Sequence, residues 1–367
     1  MPVCPLPSHA SLEHLRNQAK LIQRAVRAAD PWGLGLVAEF HPKLEPLTAE
    51  PDALTGFRRA DAQHVVARQY GFASWAALRR GLGIVADRGR SPHLLDVDGD
   101  LPTDLAARAD RFLRLACLTY GADHPDRRVR ASALLAAHPE IAASTIHTAA
   151  GVGDVAAIRR LLAVDPTAAN AEGGPFRWTP LLYLAYARVD GGADADPVTA
   201  ARVLLDAGAD PNAGYMWEGL VPPFTVLTGL FGEGEQGPVN QPRHPRCIPL
   251  ARLLLAAGAD PNDGQTLYNR MFRSDDEHLE VLLPAGLGRG DGGPWKRLLG
   301  DRLPTPAHLV AEALERAVEF GHGDRVALLL AHAIDPDPGV TDPRPGARPS
   351  GGPREDPADP PSYAPRC

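Results

Sequence analysis

The chain has 367 residues and a formal net charge of −7, long enough for two or three domains around sizeable cores. No run of 18 apolar residues occurs, so no membrane-spanning helix is expected, and residues 1–30 lack the apolar core of a signal peptide. The four cysteines, at positions 4, 117, 247 and 367, have neither metal-site nor disulfide-framework spacing, so a cytoplasmic chain with reduced, structural thiols is expected.

Charge is unevenly divided. Residues 1–90 carry twelve Lys and Arg against eight Asp and Glu, a net of +4, which leaves −11 on the rest. Arginine outnumbers lysine thirty-five to three, for which coding bias is as good a reason as anion binding. The first helix opens at Ser11, with Leu12, Leu15, Ala19, Ile22 and Val26 at near-helical spacing. Residues 42–56 read as loop, with Pro42, Pro46, Pro51 and Gly56. A second helical stretch covers 57–70. Gly71 ends it, and Ser74 can cap a third over 75–81. Helix, glycine turn and capped helix also resemble a helix-turn-helix, and segment 57–82 carries five Arg and one Asp. A recognition helix needs base-reading side chains on its exposed face, and of residues 75–80 only Arg79 and Arg80 suit phosphate or guanine. DNA contact through 57–82 is therefore the alternative expectation, and a helical packing element the leading one.

From residue 102 onward the pattern is repetitive. Residues 203–212 read VLLDAGADPN, 253–262 read LLLAAGADPN, and 328–336 give a decayed copy, LLLAHAIDP. In each, a leucine-rich helix end faces a core. Gly208 and Gly258 stand where the helix stops and φ > 0 is favoured, and Asp-Pro-Asn turns the chain away. Helix starts precede them: Thr179 as N-cap with Pro180 at the first helical position, and Ser144–Thr145 before Ile146-His147-Thr148. Taking the second leucine of each core pair gives Leu135, Leu162, Leu205, Leu255, Leu283 and Leu330.

These phrases resemble the ankyrin repeat family, whose unit runs TPLHxAA, then Gly-His, then a leucine run closing on GADxN. His147 falls on the family's histidine, and Gly321-His322 with Val326 and Leu328–Leu330 on its second helix. The departures are Leu182 where a second histidine would stand, and Ala333-Ile334 in place of the terminal glycine. The string Ala67-Arg68-Gln69-Tyr70-Gly71-Phe72 looks like a helical segment that precedes ankyrin repeats in bacterial proteins. The resemblance implies an all-α fold: an α-solenoid of degenerate ankyrin-type helix pairs over 102–338, with essentially no sheet. Ahead of it stand a helical region, 1–90, and a linker, 91–101. A disordered Pro/Gly-rich tail, 339–367, follows.

Two insertions, 188–197 and 231–247, interrupt the same link of the repeat and should emerge on one edge of the stack. A third, 288–306, falls on the turn side and should hold a short helix over 295–299.

No catalytic constellation survives scrutiny. Gly232 to Gly237 and Gly288 to Gly293 match GxGxxG, but a phosphate cradle needs a preceding strand and a following helix N-terminus. His244 and Cys247 lack a second ligand pair, and His322 and Asp324 are a dyad only by proximity. No cofactor, metal or small-molecule substrate is expected. What remains is surface: a non-catalytic module binding a protein partner through the concave face of the stack. Its candidate anchors are Arg177 and Trp178, then Tyr215, Met216 and Trp217 on the next turn, then Tyr268 and Arg270 at the following inner helix. Packing between turns is the competing role for all of them.

Overall fold

The computed structural model describes residues 11–41 and 54–332. The proline-rich tail and most of the 42–56 loop lie outside these residues. Helix accounts for 61% of the described residues and strand for 4%, so the fold is mostly helical. The chain divides into two compact units after Leu82.

In the first unit, α1 (Leu12–Arg27) is capped by the Ser11 hydroxyl, which accepts from the His14 amide at 3.1 Å. The expected stripe of Leu15, Ala19, Ile22 and Val26 is its buried face. α2 (Pro31–Phe40) begins at an Asp30 cap, and α3 (Arg59–Gln69) packs against both. Gly71 takes φ +79° and turns the chain into α4 (Trp75–Arg88). Phe72 lies against Gly81, where any Cβ would come within 2.4 Å of the ring. α4 runs across the division of the chain, and the expected linker 91–101 belongs to the second unit.

The second unit is built from helix pairs. They are α5 (Leu105–Ala116) with α6 (Pro125–Ala137), α7 (Ile146–Val152) with α8 (Val155–Val164), and α9 (Pro180–Tyr186) with α10 (Pro197–Asp206). α11 (Val226–Phe231) follows, then the one-turn α12 (Gly237–Asn240) and α13 (Cys247–Ala256). α14 (Gly264–Arg270) and α15 (Glu277–Leu282) come next, then the short α16 (Gly293–Leu299) expected within the third insertion. α17 (Pro306–Glu319) with α18 (Gly323–Ala331) close the described chain.

The first helices form one row, α5–α7–α9–α11–α14–α17, each packed on the next; the second helices α8–α10–α13–α15 form another. Every residue of α7, α9 and α11 is buried, as a helix with neighbours on all sides requires. The outer helices bury stripes instead: Ala157, Ile158 and Leu162 in α8, Ala200, Ala201 and Leu204 in α10. Gly208 and Gly258 have φ of +87° and +97°, so the helix-end glycines sit in the left-handed region as expected.

Two expectations are corrected. The buried leucine is the first of the pair in several units. Leu134, Leu204, Leu254 and Leu329 are core, whereas Leu330 is 59% exposed. The 3.6-residue period places the inward stripe one residue earlier than the pair spacing suggested. The unit also contains a small sheet: β1 (Gly89–Arg90) pairs in parallel with β2 (Gly214–Trp217), which pairs antiparallel with β3 (Phe224–Thr225). The aromatic run Tyr215-Met216-Trp217 favours extended backbone, and β1 offers it a second partner.

Candidate interaction surface

The expected anchors divide sharply by burial. Trp178 is 1% exposed, and its ring centroid lies 4.6 Å from Phe176, 4.9 Å from Tyr186 and 4.9 Å from Tyr215. Tyr215 and Met216 are buried with it. Arg270 is fully buried and paired with Glu233 and Asp275. These four are corrected from surface to core. Trp217 is half-buried; its ring stacks on His93 at 4.5 Å and its Nε1 donates to the Thr119 carbonyl at 2.9 Å. Tyr268 is 40% exposed, with its hydroxyl on Glu235. Arg177 has 65% of its side chain exposed and a backbone φ of +53°.

The segment between α5 and α6 adds cover beside these rings and holds Trp217 through Thr119. Residues 117–123 lie over α9 and α11: the Leu118 amide donates to the Tyr186 carbonyl at 3.0 Å, and Tyr120 Oη donates to the Thr228 carbonyl at 3.2 Å. Tyr120 also meets Phe224 edge-on at 4.9 Å. Asp123 holds the segment in shape by accepting from the Thr119 and Tyr120 amides, and Gln241 Nε2 donates to it at 3.1 Å. The inner row is thus covered around α9 and α11 by the chain itself. In the sequence the segment is marked only by Gly121-Ala122-Asp123, an echo of the repeated phrase without its flanking leucines.

The two insertions do meet. Arg188, fully buried, donates from Nε to the Pro242 carbonyl at 2.7 Å and also reaches the Gly229 carbonyl. On the same edge Arg325 pairs with Asp276 at 2.6 Å, and Arg243 bridges Glu233, Asp275 and Glu277. His244 lies inside this edge. Burial, with the charges of Arg188 and Arg246, pushes its pKa down to about 3. Its Nδ1 accepts from the Arg246 amide at 3.0 Å, so this nitrogen is occupied by protein. The Cys247 thiol is free, buried, and raised by burial to about 12. His322 Nε2 meets the Met271 carbonyl at 3.0 Å and does not pair with Asp324. Gly232 follows the helix α11, so this GxGxxG has no strand before it. Among the described residues no group of three or more His, Cys, Asp or Glu could hold a metal ion, and no helix is long and apolar enough to cross a membrane.

On the turn side an asparagine recurs in one role. Asn170 Nδ2 donates to the Gly208 carbonyl at 2.7 Å while its Oδ1 accepts from the Asp210 amide at 2.8 Å. Asn212 does the same to Gly258 at 2.9 Å and Asp260 at 2.8 Å. Asn262 repeats it with the Arg289 carbonyl at 3.0 Å and the Gly288 amide at 2.8 Å. Each side chain thereby fixes the turn of one unit to that of the next. No family model, no curated protein and no solved structure matches the chain.

A charged group gathers at Glu172. Arg90 Nη2 lies 2.7 Å, Arg177 Nη2 3.6 Å and Arg88 Nη1 4.0 Å from its carboxylate. Three guanidinium groups thus share one carboxylate, with Asp87 paired to Arg88 at 2.8 Å. Burial, then the neighbouring charge of Arg177, lowers the pKa of Arg90, and Glu172 opposes both. Arg88 and Arg177 keep exposed donors for a further anion. In α4, Arg79 and Arg80 are exposed as a DNA-contacting face would need.

Proposed function

We propose that the second unit is an ankyrin-type stack of helix pairs acting as a non-catalytic protein-binding module. Its binding edge is the row of turns, centred on Arg88, Arg90 and Arg177, and its partner presents an acidic segment. The observation that carries this reading is the arginine cluster around Glu172, in which Arg88 ends α4, Arg90 lies in β1 and Arg177 stands on the turn before α9. Pre-ordered guanidinium groups lose little freedom on binding, and the shared carboxylate leaves them an excess of positive charge. The inner row, covered by residues 117–123, leaves the turns as the surface for a partner.

Titration of the full chain with a fluorescein-labelled glutamate-rich peptide tests this. Binding should weaken as salt rises, because exposed charges are screened within about 8 Å at physiological ionic strength. It should disappear in Arg88→Glu/Arg177→Glu and persist in Arg159→Glu, an exposed arginine of α8. Absence of binding at low salt, or equal binding by both variants, overturns the reading.

A further inference from the structure

The turn row and the first helices line a partly open cavity of ≈ 410 Å³ near the C-terminal end of the second unit. Leu267 of α14, Met271 just after it, Leu279 of α15, and Leu309 and Ala313 of α17 form its walls. The 288–306 insertion roofs it through Trp295 and Leu303. Protein interiors are close-packed, and a cavity of this size with mostly apolar walls is of ligand-binding dimensions.

The polar groups of the lining are largely committed to the protein. Trp295 Nε1 donates to the Asn212 carbonyl at 3.0 Å, and Lys296 Nζ to the Gly300 carbonyl at 3.0 Å. Arg325 is held by Asp276, and Asn262 by Asp260 and its turn-row partners. His278 differs. It is buried in the lining, and its Nδ1 has no hydrogen-bond partner in the protein. Burial, with the charges of Arg270, Arg325 and Arg243, keeps its imidazole neutral. The charged side chains of the lining balance, with Asp260, Asp263, Glu312 and Glu315 against Lys296, Arg302, Arg316 and Arg325. An ion would lose hydration without meeting a net counter-charge, and the neutral imidazole favours an uncharged hydrogen-bonding group. Size narrows the class further. A cavity of roughly 150 Å³ accommodates one benzene ring, so this one suits a compound of about two to three rings.

We propose that this cavity is a binding site for an uncharged, largely apolar two- or three-ring compound bearing a hydroxyl group directed to His278. The site is separate from the arginine cluster and does not depend on the protein-binding reading.

The full chain is titrated with 2-naphthol by calorimetry and equilibrium dialysis, with 2-naphthalenesulfonate as the charged counterpart. The expected result is saturable one-to-one binding of 2-naphthol, a raised thermal midpoint, and weaker binding of the sulfonate. Ala313→Trp fills the cavity from α17 and should weaken 2-naphthol about tenfold or more, the scale of an overpacked site. Should that variant not fold, Met271→Phe fills the same space from the C-terminal end of α14 and is held to the same outcome. The proposal is overturned if 2-naphthol shows no saturable one-to-one binding, or if the filled, folded variant binds it as the parent does. It is overturned equally if the sulfonate binds as tightly as 2-naphthol.

Discussion

Replacing Trp178 with alanine is the sharpest test of the aromatic core. The side chain is 1% exposed and lies within 4.9 Å of three ring centroids, with Tyr183 a fourth at 5.4 Å. Its Nε1 makes no hydrogen bond within the protein, so the loss is one of packing and not of a polar contact. Truncating a buried tryptophan costs about 3–5 kcal/mol, and four neighbouring rings that cannot all collapse inward place this site at about 4. For a unit of this size about 2–4 °C accompanies each kcal/mol, so the thermal midpoint should fall by roughly 8–16 °C. Urea unfolding followed by near-ultraviolet circular dichroism reads the free energy, and calorimetry the midpoint. Arg177→Ala, one residue earlier and exposed, should shift stability by no more than about 0.5 kcal/mol. A loss below about 1 kcal/mol for Trp178→Ala would refute the placement of the ring in a closed core.

Other perturbations address the turn row, the buried ions and acid. Asn212→Ala removes one donor and one acceptor that join two turns, and should cost about 2 kcal/mol in urea unfolding; a cost near zero denies that the pairing matters. Arg270→Met leaves Oε2 of the buried Glu233 unpaired while Oε1 stays on Arg243, and should cost about 3 kcal/mol, with part of it restored in Arg270→Met/Glu233→Met. If the double variant is no better than the single one, the penalty does not come from the unpaired charge. His244 and His278 are both depressed below their unfolded value near 6.5, so the unfolded chain takes up protons first as pH falls. Stability should therefore drop from about pH 6 to about pH 5 by roughly 1.4 kcal/mol from His244, with His278 acting in the same direction, and His244→Gln/His278→Gln should flatten the slope. An unchanged slope would contradict the placement of these imidazoles.

The sequence carried the helix pairs well because their punctuation is local. Glycines at helix ends, Thr-Pro starts and leucine spacing each act within one turn of helix, and Gly208, Gly258 and the Thr179-Pro180 start took their expected places. The short helix of the third insertion and the meeting of the first two insertions were legible for the same reason, as interruptions of a known period. What failed was non-local. An aromatic after a turn reads alike whether it faces water or another ring, and Trp178 and Tyr215 are core because they stack on each other and pack on Tyr186. Arg270 illustrates the same limit. Expected at the start of an inner helix, it is the last residue of α14, and its partner Glu233 lies 37 positions away in an insertion. β1 and β2 are similarly distant, so neither could be recognised alone.

The covering segment also changes what kind of object the helix row is. In a linear array each unit touches only its neighbours, and stability is a sum of local terms. Here Trp217 reaches Thr119 across 98 positions, Arg128 reaches Asn240 across 112, and Gln241 reaches Asp123 across 118. Early and late helix pairs thus share contacts that neither can keep if the other opens. Such closure suppresses fraying from the N-terminal side and ties pairs α5–α6 through α11–α13 into one cooperative block. It also raises the loop-closure cost of folding, which slows the search relative to an open array. An insertion or deletion of a whole repeat, harmless in an open array, would here pull the first pair away from its distant partners.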